Sequence, residues 1–343
     1  MVNGKLYMPE GLGGKIFKGC GCISIGIVLM FILVIVIGIC VDDEETTDEK
    51  KEEKKTEQVE KKDSVVVNAP LEGDPYKELD ELIGLEQVKE EVHSLANFVK
   101  IQKQREKKGL KIPKMSLHLV FTGSPGTGKT TVARIVARIY KDLGVLKKGH
   151  TVETDRSGLV ANYVGQTATK TNAIVDSALN GVLFIDEAYA LVPTANKNND
   201  YGQEAISTLL KRMEDDRDKL VVIVAGYTKE MNRFIDSNPG LKSRFNRYIN
   251  FPDYTSGELK DIFKMYVRKN QYSLTPDAEQ YLKTRLDSAV KHKDRNFGNA
   301  RYARNIFEKS IQRQANRLSN EKNPTAKQLT ELTVSDIREA FYK

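Results

Sequence analysis

Apolar positions fall into three regimes along this chain of 343 residues. The first is Gly19–Val41, a run of 23 residues without a charge, dominated by Ile, Val, Leu and Phe. A helix of that length crosses a hydrocarbon core of about 30 Å, so the run is predicted to be a single transmembrane helix. It is longer than the apolar part of a secretory signal, and Ile37-Gly38-Ile39-Cys40 is a poor cleavage site. It therefore reads as a retained anchor. Residues 1–18 form a short basic, Gly-rich tail. Residues 42–73 are charged, acidic first and then mixed with Lys, with almost no apolar residue before Val65. That composition predicts a flexible tether.

From Asp74 the pattern becomes globular. Leu79 to Gln104 has helical apolar spacing. Short apolar runs then alternate with amphipathic stretches: Leu117–Phe121, Thr151–Glu153, Val182–Asp186, Leu220–Ala225 and Tyr248–Phe251. Such alternation predicts an α/β domain over residues 74–254, a mainly parallel sheet with helices on both faces. Beyond it, residues 255–343 are helical in pattern, at about 256–269, 276–290, 298–318 and 334–342, with Asn323-Pro324 breaking the last two. This predicts a small all-α domain without strands. No internal repeat is present.

Composition adds limits. The formal net charge is +7, and residues 256–343 hold 18 Lys/Arg against 11 Asp/Glu. That basic end suits a nucleic-acid partner or a solvated helical surface, and no helix-turn-helix, zinc module or aromatic–basic alternation favours the first. Cys20, Cys22 and Cys40 all lie in or beside the apolar run, so the globular part carries no disulfide framework and no cysteine metal set. His93, His118, His150 and His292 are scattered, without a His-Glu-x-x-His pattern. Lysines flank the apolar run on both sides, so the positive-inside rule leaves its orientation open.

The chemistry begins at Gly123–Thr131, Gly-Ser-Pro-Gly-Thr-Gly-Lys-Thr-Thr, directly after Leu117–Phe121. A backbone that wraps a triphosphate must bring several N–H groups to its oxygens, and side chains would block that approach. Ser124, Pro125, Gly126, Thr127 and Gly128 form the loop, Lys129 reaches the β- and γ-phosphates, and the hydroxyl of Thr130, followed by Thr131, can ligate Mg²⁺. The helix predicted from about Gly128 to Tyr140 aims its positive end at the anion. A second motif is Gly181-Val182-Leu183-Phe184-Ile185-Asp186-Glu187, a buried strand whose carboxyl end presents two acids. Asp186 is the candidate for holding Mg²⁺, mostly through water. Glu187 is the candidate for orienting and polarising the attacking water.

Together these motifs resemble those of the AAA+ ATPases, and the resemblance is nearest to the branch containing red-type Rubisco activase and the stage V sporulation protein K. It covers about Leu79 to Lys343. Further phrases that carry it are Leu82-Ile83-Gly84-Leu85, Tyr163-Val164-Gly165-Gln166-Thr167, Phe184-Ile185-Asp186-Glu187-Ala188-Tyr189, Asn238-Pro239-Gly240-Leu241-Lys242-Ser243-Arg244-Phe245 and Gly298-Asn299-Ala300-Arg301. The resemblance implies a P-loop core followed by a helical lid, with ATP and Mg²⁺ as ligands. It places Ile83 and Gly84 against adenine and makes Arg244 an arginine finger for the neighbouring subunit, with Arg247 as a second contact. Arg301 corresponds to the second sensor, with Arg304 one turn on as the fallback. The first sensor departs from the family pattern: Tyr227 and Thr228 stand where many relatives carry Asn. Tyr163, Val164 and Gly165 resemble an aromatic pore loop that grips polypeptide.

The expectation is a membrane-anchored ATPase that assembles as a ring, a hexamer by resemblance, and remodels or threads a protein client. A domain that consumes ATP faces the compartment holding it, so the residues after Val41 are expected in the cytoplasm. Two alternatives stay open: a nucleic-acid motor or loader, and an ATP-gated membrane scaffold that threads nothing.

Overall fold

The computed structural model describes residues 65–70, 72–113, 116–192 and 201–341. The basic tail, the apolar run and the tether up to residue 64 lie outside the described residues. Among those described, no helix is long and apolar enough to cross a membrane. In chain order the elements are β1 (Val66–Asn68), α1 (Pro75–Asp80), α2 (Glu86–Lys107), β2 (Leu119–Gly123), α3 (Lys129–Asp142), β3 (Thr151–Thr154), α4 (Arg156–Leu159), α5 (Thr167–Ala178), β4 (Gly181–Ile185), α6 (Gly202–Asp215), β5 (Leu220–Gly226), α7 (Thr228–Asp236), α8 (Pro239–Arg244) and β6 (Tyr248–Phe251). The lid follows with α9 (Ser256–Lys269), β7 (Ser273–Leu274), α10 (Pro276–Lys291), α11 (Ala300–Leu318), α12 (Ala326–Thr330), β8 (Glu331–Leu332) and α13 (Val334–Ala340).

The six-stranded sheet has the order β1-β3-β4-β5-β2-β6. All neighbours pair in parallel except β1, which runs antiparallel to β3. The apolar runs are continuous because both faces of the sheet are covered. Alternate residues supply two cores: Leu119, Phe121, Phe184, Ile223 and Phe251 face one, and Val120, Leu183, Ile185, Val222 and Val224 face the other. The first core continues through Tyr254 into the lid, where it takes in Leu259, Phe263, Leu282, Leu286, Ile306 and Phe307. β2 lies between β5 and β6, and the chain leaves it across two strands to reach β3. That reversal opens a crevice at the carboxyl ends of the strands, where such sheets take ligands.

Two expectations need correction. β1 extends the core sheet into the stretch that composition assigns to the tether: Val66, Val67 and Asn68 pair with Glu153, Val152 and Thr151. The lid is not free of strands, because Ser273 and Leu274 pair in parallel with Glu331 and Leu332. Elements of two or three residues are too short to show a period.

The lid closes on a buried ion pair. Arg317, on α11, donates from Nε to Asp336 Oδ1 and from Nη2 to Asp336 Oδ2, each at 2.9 Å. Asp336 is 1% exposed and also caps α13, accepting from the Thr333 N–H at 2.9 Å and from its hydroxyl at 2.8 Å. Burial by itself would raise its pKa; the Arg317 and Thr333 hydrogen bonds override that and hold it below the usual carboxylate value. Its contribution to stability is therefore complete above the unfolded-state value and is lost as pH falls through the lowered folded-state one. Asp336→Ala leaves a partly buried guanidinium without its partner and is expected to destabilise the lid by about 2–3 kcal/mol. Urea unfolding at neutral pH checks this, and the gap between wild type and variant should close in strong acid.

Candidate active site

The phosphate loop joins β2 to α3, and its shape follows from its glycines. Gly126 has φ +71°, and a Cβ there would fall 2.1 Å from the carbonyl oxygen of Gly298 in the lid. Gly128, at φ +96°, caps α3 from a left-handed conformation that other residues rarely adopt. The Thr127 hydroxyl, fully buried, donates to Ser124 O at 2.8 Å and braces the loop from within. Lys129 is buried at the first turn of α3, where its ammonium donates to the carbonyls of Gly123 at 2.8 Å and Ser124 at 2.7 Å. Burial lowers its pKa; Asp186 pulls the other way and Arg301 adds to the lowering.

The carboxyl end of β4 faces this loop. Asp186 follows the strand, and Glu187 takes a left-handed conformation at φ +48°, ψ +39°, with its N–H donating to Asp186 Oδ1 at 3.0 Å. Burial and the neighbouring Glu187 carboxylate push the Tyr189 phenol up to about 12. Tyr189 packs near Tyr227, with ring centroids 6.3 Å apart, and the Arg295 guanidinium from the lid side lies 5.0 Å over the Tyr227 ring.

Lys129, Asp186, Glu187 and Tyr227, with the loop glycines Gly126 and Gly128, line one cleft of about 410 Å³ between the sheet and the lid. Its lining combines apolar walls from Leu82, Ile83, Leu85, Ile262, Met265 and Tyr266 with the polar set Pro125, Gly126, Gly128, Lys129, Thr130, Thr131, Asp186, Glu187, Tyr227, Arg301 and Arg304. A lining of that mix suits a ligand with a flat apolar base and a polyanion. For Mg²⁺, Thr130 and Asp186 offer two hard oxygen donors in the same cleft. Among the described residues no group of three or more His, Cys, Asp or Glu is placed to hold a metal. The donor set therefore fits an ion held jointly by protein, phosphate and water.

Most of the residues expected from sequence thus converge. The exceptions are specific. Gly84, Ser124 and Thr127 support the cleft without lining it. Of the two sensor candidates Tyr227 lines it, while Thr228 faces an adjacent hollow with Asn250 and Asp253. Arg247 does not reach the cleft: its guanidinium covers the Phe98 ring at 5.0 Å, and its carbonyl accepts from the Val120 N–H. Arg244 ends α8 outside the cleft as well. It pairs with Glu214 at 3.4 Å and donates to Gly240 O at 3.4 Å, and Ser116 Oγ donates to its carbonyl. Tyr163 and Val164, 71% and 80% exposed, project from the loop before α5, with Gly165 beside them at φ +76°. Sequence reasoning missed Tyr254, and it gave no role to Leu85, Tyr189 and Asn299, although they stand inside the quoted motifs. Three-dimensional packing decides what these side chains touch.

Residues 119–253 match the family model described as "ATPase family associated with various cellular activities (AAA)", and residues 255–343 match the AAA lid domain. The stage V sporulation protein K of Bacillus subtilis (strain 168) is 43% identical over 248 residues, covering 71% of this chain and 75% of that protein. The chain belongs to the AAA family of ATPases. A chloroplastic ribulose bisphosphate carboxylase/oxygenase activase from Cyanidioschyzon merolae is 48% identical over 242 residues, covering 69% of this AAA chain and 80% of that protein. The ESX-3 secretion system protein EccA3 of Mycolicibacterium smegmatis is 45% identical over 282 residues, 76% of this chain, but the match spans only 45% of that longer protein. The matches show an ATP hydrolase, since ATP hydrolysis is the activity for which the AAA family is named.

Proposed function

We propose that this AAA chain is a membrane-anchored, ring-forming ATPase that couples ATP hydrolysis to remodelling or threading a protein client. The observation that carries the proposal is the division of the site. The phosphate loop, the two acids and Arg301 share one cleft, whereas Arg244 lies outside it and is available to a neighbour's cleft. A ring completes the set.

In this reading the apolar walls, with Ile83, take adenine. The loop N–H groups, Lys129 and Arg301 hold the phosphates. Thr130 and Asp186 would hold Mg²⁺, which would supply charge neutralisation at the phosphates. Glu187 orients a water and accepts its proton as the water oxygen bonds to the γ-phosphorus. The bond from that phosphorus to the bridging oxygen breaks, leaving ADP and phosphate. Tyr227 contacts the water or the γ-phosphate as the first sensor. Arg244 of a neighbouring subunit stabilises the charge spread over the transferring group, with Arg247 behind it. Gly19–Val41 anchors the assembly with its ATPase domain in the cytoplasm, on the residue pattern alone. A protein client suits the names of the relatives, an activase and a secretion system protein, and the exposed Tyr163–Val164 pair is the surface we assign to it.

The test is a trap. Full-length Glu187→Gln, isolated from membranes with ATP, is compared with Glu187→Gln/Tyr163→Ala. A protein retained only when Tyr163 is present supports threading. Nuclease-sensitive nucleic acid in its place overturns it in favour of a motor or loader. Rings that retain nothing favour a scaffold. Tyr163→Ala alone is expected to keep ATP binding and to lose client remodelling, as a turnover assay on the trapped client would show.

A further inference from the structure

Asn299 stands between the second-sensor arginine and the phosphate loop, and no part of the mechanism above uses it. Its backbone has φ +47° and ψ −123°, the geometry of the first central position of a type II′ turn, where glycine is the residue of choice. An asparagine is kept there nevertheless, completely buried. Its side chain explains why. Oδ1 accepts from the Tyr254 N–H at 3.0 Å. The two Nδ2 protons are shared among three acceptors, Asp253 Oδ1 at 2.9 Å, Phe297 O at 3.2 Å and Pro125 O at 3.3 Å. The last acceptor belongs to the phosphate loop.

The neighbouring groups act in the same direction. The Ala300 N–H donates to Gly126 O at 3.1 Å. Asp253 in turn accepts from Lys293 Nζ, which binds it from the lid. Two successive loop residues are therefore held from outside, Pro125 and Gly126, each through its carbonyl. In a trans peptide the C=O and the following N–H point in opposite directions. A Pro125 carbonyl held outward turns the Gly126 N–H inward, and a Gly126 carbonyl held outward turns the Thr127 N–H inward. These N–H groups are the ones a phosphate needs.

We propose that Asn299 is a positioning residue that sets the phosphate-binding N–H groups from behind, so that the loop is ordered for phosphate only while the lid is docked. The inference rests on the reading of the cleft as an ATP site. It makes lid docking and phosphate affinity two sides of one equilibrium, and the coupling is reciprocal. The apolar walls of the cleft are not part of the device.

Asn299→Gly tests it cleanly, because glycine suits the backbone and removes only the side chain. In the full-length protein, binding of a fluorescent ATP analogue and of the corresponding adenosine, which lacks phosphate, is measured by titration. Losing the hydrogen bond that holds the loop is expected to weaken ATP binding about tenfold or more, with adenosine affinity unchanged and a single cooperative unfolding transition retained above the assay temperature, though at a lower midpoint. Asn299→Asp, which cannot donate to Pro125 O and faces Asp253, should weaken ATP at least as much. Asn299→Gly that binds ATP as tightly as wild type overturns the proposal, and so does an equal loss for both ligands, which would mark a general loosening of the lid. Failure of wild type to bind ATP would instead overturn the reading of the cleft, and this inference with it.

Discussion

Glu187→Gln is expected to bind ATP with wild-type affinity and to hydrolyse it about 10²–10⁴-fold more slowly. The amide keeps the size of the carboxylate and removes a negative charge from the cleft, so binding does not suffer. What it cannot do is take a proton from water. Everything that holds the triphosphate stays in place: Lys129 in the first turn of α3, Thr130 beside it, and the loop braced by Thr127 and by the lid. Fluorescent-nucleotide titration and a phosphate-release assay on the same sample check both halves. Residual turnover within about tenfold of wild type, less than a general base contributes, would move the role of base elsewhere in the cleft.

Arg244→Ala is expected to lose about 10³-fold in turnover per subunit, with ATP still bound, because an arginine finger acts on the transition state. The alternative is that Arg244 only stabilises its own subunit through Glu214, Gly240 and Ser116. Mixing separates the two. A Glu187→Gln subunit has the finger without the base, and an Arg244→Ala subunit has the base without the finger. Each is nearly inactive alone. If the finger acts across subunits, mixed rings regain activity at the clefts of the Arg244→Ala subunits. If Arg244 acts only within its own chain, mixing restores nothing. On the same reasoning, wild-type specific activity should fall on dilution to monomer, and a flat dependence on concentration would remove the neighbour from the mechanism.

The chain's own pattern determined the frame of this site. Five parallel strands are legible because burial on both faces turns each into an uninterrupted apolar run, and the lid helices because their apolar residues recur at helical spacing. Gly126, Gly128 and Lys129 are legible because a loop that wraps phosphates has few chemical solutions, all of them local in sequence. What the tertiary structure alone decided is everything that depends on distant segments meeting. β1 exists only by pairing with β3, 85 residues away at Asn68 and Glu153, and β7 only by pairing with β8 across most of the lid. That Tyr227 lines the cleft and Thr228 does not, that Arg247 lies over the Phe98 ring and that Asn299 reaches Pro125 are likewise decided by packing. A side chain's local sequence limits its chemistry, but which atoms face it is decided by the folding of the whole core, where close packing leaves each group one set of neighbours.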